Sequence, residues 1–136
     1  MVLRFMAIPI ALLMGLVGTA PVHNADLPRE PETIIVKMVD KSPTEYVFEP
    51  AAITARPGDV IQFVQTGVMP HNVQFKEGPA GTTFGEIQMG PFLTQPNETY
   101  EVTIGDKFAN GVHKFVCTPH EFMGMTGTLT VEGAAR

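Results

Sequence analysis

The sequence predicts an all-β single domain, a sandwich or barrel of short strands. Three observations predict it. Apolar residues alternate with polar ones at period two in several short runs, 13 glycines and 12 prolines punctuate the chain, and beyond residue 25 no stretch carries the spacing of an amphipathic helix. Strands with one face on a core require that alternation, because successive side chains point to opposite sides of the pleat.

In chain order, residues 26–32 (DLPREPE) are polar with two prolines and read as a linker to a domain over 33–136. Residues 33–39 (TIIVKMV) are rich in β-branched side chains and end at the polar segment 40–44. Residues 47–54 contain Pro50, which cannot donate to a ladder and so confines this run to an edge or bent strand. The Pro-Gly turn in ARPGD (55–59) leads into 60–66 (VIQFVQT). Val73 and Phe75 alternate around Gln74; Tyr100, Val102 and Ile104 alternate in 99–104, Phe115 and Cys117 in 112–117, and Leu129 and Val131 in 126–132. All read as half-buried antiparallel strands. Residues 76–95 are the least regular and read as a long connection with room for one short strand or helical turn. His113, beside Lys114, reads as a solvent-facing strand residue, and Met38 and Met89 read as core or gap-filling side chains.

The first 25 residues read as a secretory leader. Arg4 precedes 16 uncharged, mostly apolar residues and then small ones, whereas a spanning helix needs about 20 apolar residues. Cleavage after Ala25 leaves 111 residues and, with Arg4 gone, a net charge of −6. An uncleaved anchor is the alternative, and membrane contact would then run only through this segment. The expected location is the periplasm or another extracytoplasmic compartment, and the expected state a monomer. The acidic balance excludes nucleic acid as a partner, since phosphates demand Lys and Arg. The acidic residues are scattered and read as a solvated surface.

Chemistry concentrates around the one cysteine, Cys117. A single cysteine forms no intramolecular disulfide, and in an exported protein it calls for another role. His120 follows it by three positions, and Met123 and Met125 follow closely, so a thiolate, an imidazole and two thioethers crowd into nine residues. Soft sulfur with imidazole selects copper or zinc over magnesium and calcium. A further ligand must come from another strand, and His71, which opens an apolar run after Met69 and Pro70, is the obvious candidate. Structural zinc sites usually pair cysteines at short spacing, and here a second cysteine is absent. One Cys, two His and a weak Met is the ligand set of a blue-copper electron-transfer centre.

At these residues the chain resembles the small blue copper proteins, or cupredoxins, in particular plastocyanin, pseudoazurin and amicyanin. The likeness rests on Pro70-His71-Asn72-Val73, on Pro96-Asn97-Glu98-Thr99-Tyr100, and on Cys117-x-Pro-His120-x4-Met125-x-Gly127, in that order. It implies a Greek-key β-sandwich of seven to eight strands and one type 1 copper, with His71, Cys117 and His120 as the strong ligands. By the same likeness the axial ligand would be Met125, which is followed by x-Gly and a strand as in plastocyanin and pseudoazurin; Met123 is the less favoured choice. The likeness further implies that Asn72 donates its backbone N–H to the cysteine sulfur and ties the two ligand loops together. Pro119, which has no N–H, removes a second donor to that sulfur. Met69, Pro70, Phe122 and Met123, with Pro91 and Phe92 beside them, would then form an apolar docking rim around His120.

The function implied is one-electron transfer with redox proteins, whether a cytochrome, a membrane electron-transfer complex or a dehydrogenase. The alternative is a periplasmic copper carrier or chaperone. An enzyme is not expected. Once His71 and His120 are used, only His113 remains in residues 26–136 to build a second, open metal site, and no Ser-His-Asp pattern stands out.

Overall fold

The alternation that opens the domain becomes a ten-residue strand, β1 (Thr33–Ser42), with Val36 and Met38 turned inward and Ile35 exposed. It belongs to a computed structural model that describes residues 29–134; the expected leader and the start of the expected linker lie outside the described residues. The remaining strands are β2 (Glu45–Glu49), β3 (Ala52–Ala55), β4 (Val60–Gln65), β5 (Gln74–Glu77), β6 (Thr99–Thr103), β7 (Gly111–Val116) and β8 (Thr126–Val131). The irregular stretch 76–95 holds a single 3₁₀ turn, Gly85–Gln88, and another, Thr118–Met123, follows Cys117.

Among the described residues the strands form two four-stranded sheets, ordered β2-β1-β4-β6 and β3-β8-β7-β5. The Greek-key sandwich is therefore as expected, with two local differences. The run 47–54 is not one bent strand but two, β2 and β3, placed on different sheets on either side of Pro50. The chain leaves the first sheet there and returns as β4 beside β1, so β1 and β4 run parallel, as do β3 and β8. The other pairs are antiparallel. Register places the ends of β1, β4 and β7 and the starts of β2, β5, β6 and β8 at one end of the sandwich.

Phenylalanines fill the space between the sheets. Phe115 lies 4.9 Å from Phe48, 5.4 Å from Phe63 and 6.0 Å from Phe75, centroid to centroid, mostly edge to face. Each fully buried ring contributes about 1.5–3 kcal/mol through lost water contact, and such ring pairs add roughly 0.5–1.5 kcal/mol. Gly127 faces Phe115 across β7 and β8. A Cβ there would overlap the Phe115 ring and come within 3.0 Å of the Ala51 carbonyl oxygen, so packing demands glycine. At the opposite end, buried Asp59 accepts hydrogen bonds from the N–H groups of Glu32 (2.9 Å) and Arg56 (2.8 Å) and from Arg29 (2.7 Å).

His113 overturns its expected exposure: it is fully buried. Period two explains why, since residues 113, 115 and 117 share the inward face of β7 while apolar Val112 points out, 59% exposed. The imidazole packs against Phe108 (5.3 Å) and Phe84 (6.0 Å), with Nε2 3.1 Å from the Thr82 hydroxyl and no partner at Nδ1 among the described residues. Burial holds its pKa below the ordinary value.

Two outcomes follow from this packing. Gly127→Ala loses about 1–3 kcal/mol to overpacking, read as a lower urea midpoint; an unchanged midpoint contradicts the close approach. Below about pH 6.5 an unfolded chain protonates its histidines while buried His113 resists. The unfolded state then binds more protons, and stability is lost as pH falls from 6.5 toward the depressed folded value. The metal-free protein should therefore lose more stability between pH 7 and pH 5 than His113→Leu does; equal slopes contradict a neutral, buried His113.

Candidate metal centre

Two loops at that end of the sandwich carry the predicted donors. β7 stops at Val116, and Cys117 is still extended (φ −91°, ψ 118°) when the chain enters the Thr118–Met123 turn, which Pro119 helps to start. The loop then closes on itself. The His120 N–H reaches the Cys117 carbonyl at 3.1 Å, the Met125 N–H reaches the His120 carbonyl at 3.1 Å, and the Cys117 N–H reaches the Met125 carbonyl at 3.0 Å. Cys117, His120 and Met125 thus sit on one hydrogen-bonded frame. His71 comes from the β4–β5 connection and is fixed by a two-bond bridge to Leu93, at 3.1 and 2.8 Å.

These loops bring three donor atoms together. Cys117 Sγ lies 3.5 Å from His71 Nδ1 and 3.5 Å from His120 Nδ1, and the two nitrogens are 3.0 Å apart. All three residues are buried, with His120 reaching the surface at 7% exposure. Imidazole nitrogen and thiolate sulfur bind transition metals of the zinc and copper kind at about 2.0–2.3 Å. Donors spaced 3.0–3.5 Å apart are the spacing of atoms sharing one such ion, so the donor set fits copper. Met125 is fully buried in the same core as Cys117, whereas Met123 is half exposed.

A latch joins the loops. Asn72 Oδ1 accepts the Thr118 N–H at 2.8 Å, and its Nδ2 donates to Thr118 Oγ1 at 3.0 Å and to the Met89 sulfur at 3.2 Å. Met89 is therefore no core filler: it is 49% exposed and bound by its sulfur to the latch. Burial raises the pKa of the Cys117 thiol, and the nearby backbone N–H groups of Asn72 and His120 offset part of that rise. Burial, then the neighbouring His71, lowers the pKa of His120. The centre thus presents a thiol that must surrender its proton to an ion and a His120 imidazole kept neutral for ligation.

Two supporting residues escaped the sequence reading, and both lie on the β1–β2 hairpin. Asp40 Oδ1 lies 2.6 Å from His71 Nε2, and its Oδ2 accepts the N–H groups of Val68 (2.9 Å) and Met69 (3.0 Å). Burial pushes the Asp40 carboxyl upward, but these hydrogen bonds outweigh it and hold the pKa below the usual value. Tyr46, the register partner of Asp40, stacks on His120 at 4.1 Å and meets His71 edge-on at 5.6 Å. The signal for Tyr46 was its period-two spacing from inward Phe48. None marked Asp40, because its role depends on the hairpin register.

The loops that carry His71 and His120 also carry exposed apolar side chains, beside the Lys76–Glu121 ion pair. Phe122 is fully exposed, Met69, Met123 and Phe92 are partly so, and Pro70, Pro91 and Pro119 lie on the same loops with their side chains in solvent.

Residues 35–132 match the family described as copper binding proteins, plastocyanin/azurin family. The chain is similar to plastocyanin of Prochlorothrix hollandica, 36% identical over 124 residues that cover 90% of this chain and 89% of that protein. Of solved structures, a mutant fern plastocyanin superposes with a TM-score of 0.58 at 29% identity, covering 72% of this chain and 99% of the other. A pseudoazurin from Sinorhizobium superposes with a TM-score of 0.53 at 33% identity, covering 76% of each chain.

Asn72→Ala severs the latch and should cost about 0.5–1.5 kcal/mol for each hydrogen bond lost. Hydrogen exchange should speed up selectively at Thr118 and its neighbours. Exchange that stays unchanged there contradicts a latch role.

Proposed function

The chain belongs to the plastocyanin/azurin family of copper-binding proteins, and from that premise we propose that it is an extracytoplasmic one-electron carrier working through His71, Cys117, His120 and Met125. It is a plastocyanin-like copper protein of electron-carrier kind, with a His-Cys-His group suited to one type 1 copper. When bound, copper supplies a Cu(II)/Cu(I) couple that accepts and returns a single electron.

The observation that carries the reading is the convergence of Cys117 Sγ and two Nδ1 atoms within 3.5 Å in a buried site. Cys117 provides the thiolate, His71 and His120 provide imidazole nitrogens, and the surrounding core excludes water. Burial supports Met125 over Met123 as the axial thioether, because a ligand to a buried ion must itself point inward. The backbone bonds that close the Cys117–Met125 loop and pair His71 with Leu93 hold the donors in one place. Electron arrival then demands little movement of the chain.

His120 is the electron port in this reading, since its ring is the donor that reaches the surface. Met69, Pro70, Phe122 and Met123 form the docking rim with Pro91 and Phe92. Transient redox partners bury little area, which suits an apolar rim without a dedicated charged patch. The partner is a redox protein, a cytochrome, membrane electron-transfer complex or dehydrogenase. The net charge of −6 over residues 26–136 steers positively charged ones. Export through the leader at 1–25, and a domain over 33–136 acting as a monomer, complete the proposal.

Optical and EPR spectra of the copper-loaded protein test it against three variants. The parent should show an intense visible band that a reductant bleaches reversibly with copper retained. Cys117→Ser should abolish the band, Met125→Leu should change the axial EPR parameters, and Met123→Leu should leave both intact. A colourless oxidised parent overturns the reading, an effect of Met123→Leu alone moves the axial role to Met123, and copper passing to an acceptor protein favours the carrier alternative.

A further inference from the structure

We propose that Asp40 is a positioning residue for this centre: it selects the tautomer of His71 and sets a negative charge one hydrogen bond behind that ligand, favouring the oxidised state. The inference rests on the ligand role of His71 argued above. A carboxylate only accepts hydrogen bonds, so the 2.6 Å contact puts the proton of His71 on Nε2. The lone pair of Nδ1 is thereby left facing Cys117 and His120.

The arrangement is built from three further features. The second carboxylate oxygen is taken by the N–H groups of Val68 and Met69, so the group cannot rotate away from His71. Gly67 lies directly against it, and a Cβ at that position would overlap the Asp40 carboxyl group. The chain irregularity between Asp40 and Ser42 in the β1–β2 ladder sits at the same place. Carboxylate partners of ligating imidazoles fix the ring and raise its basicity, and extra negative charge favours the more positive metal state. Among the described residues His120 has no such partner, so the two histidines divide the work: one is anchored by charge, the other stacks on Tyr46 and faces partners. The exchange concerned is one electron in from a reduced redox protein and one out to an oxidised one, with no proton or bond transferred.

Asp40→Asn tests this, with exposed Glu45→Gln on the same hairpin as the control for lost charge. Two readouts are taken: the reduction potential of the copper-loaded protein, and the His71 tautomer in the metal-free protein by long-range nitrogen–proton NMR. Asp40→Asn should shift the redox equilibrium at least tenfold toward the reduced form, a rise of about 59 mV for one electron, and should lose the pure Nε2–H tautomer. Glu45→Gln should shift it by less than threefold and leave the tautomer alone. Gly67→Ala, which displaces the carboxylate without removing it, should raise the potential by a smaller amount and serves if Asp40→Asn does not fold. Equal potentials for Asp40→Asn and Glu45→Gln, or an unchanged tautomer, overturn the role of Asp40. A parent without the visible band instead overturns the ligand assignment on which it rests.

Discussion

Two imidazole nitrogens and one sulfur lie within 3.5 Å of one another, and the loops and sheets around them hold that arrangement. Burial disfavours the thiolate that metal binding needs. The opposing force is spread over the fold. The Cys117–Met125 loop is closed by its own backbone bonds, His71 is zipped to Leu93, and Asn72 bolts one loop to the other. Behind them stands a wall of phenylalanines whose packing costs too much to rearrange for a small gain at the site.

The two histidines are held differently, and the difference has a direction. His71 is fully buried and tied to a carboxylate at 2.6 Å, whereas His120 is pushed to the surface by a short turn and flattened against Tyr46. Asp40 and Tyr46 are register partners, so one hairpin position buttresses both rings. The same Asp40 carboxylate grips the Val68 and Met69 N–H groups, which links the deep side of the site to the apolar rim.

Much of this was legible in the sequence, for physical reasons. Alternation marked Phe115, Leu129 and Val131 as inward, the Pro-Gly turn marked the entry to β4, and Cys117 and His120, three residues apart, meet within one short loop. The glycine two residues after Met125 was legible as a pattern; its cause, the Phe115 ring across the ladder, was not. His113 was misread because its polarity was weighed above its parity on the strand, and Met89 because its sulfur serves the latch rather than the core. The division of 47–54 between two sheets, the parallel pairs and the part played by Asp40 depend on long-range register, which no local pattern encodes.

On this reading the chain holds two nitrogens and one sulfur on a single ion through a change of its charge. X-ray absorption at the copper edge, recorded on the oxidised and the reduced protein, addresses it directly. Two nitrogen scatterers and one sulfur scatterer are expected at short range in both states, with closely similar distances. Loss of the sulfur, or replacement of a nitrogen by solvent oxygen on reduction, would contradict it.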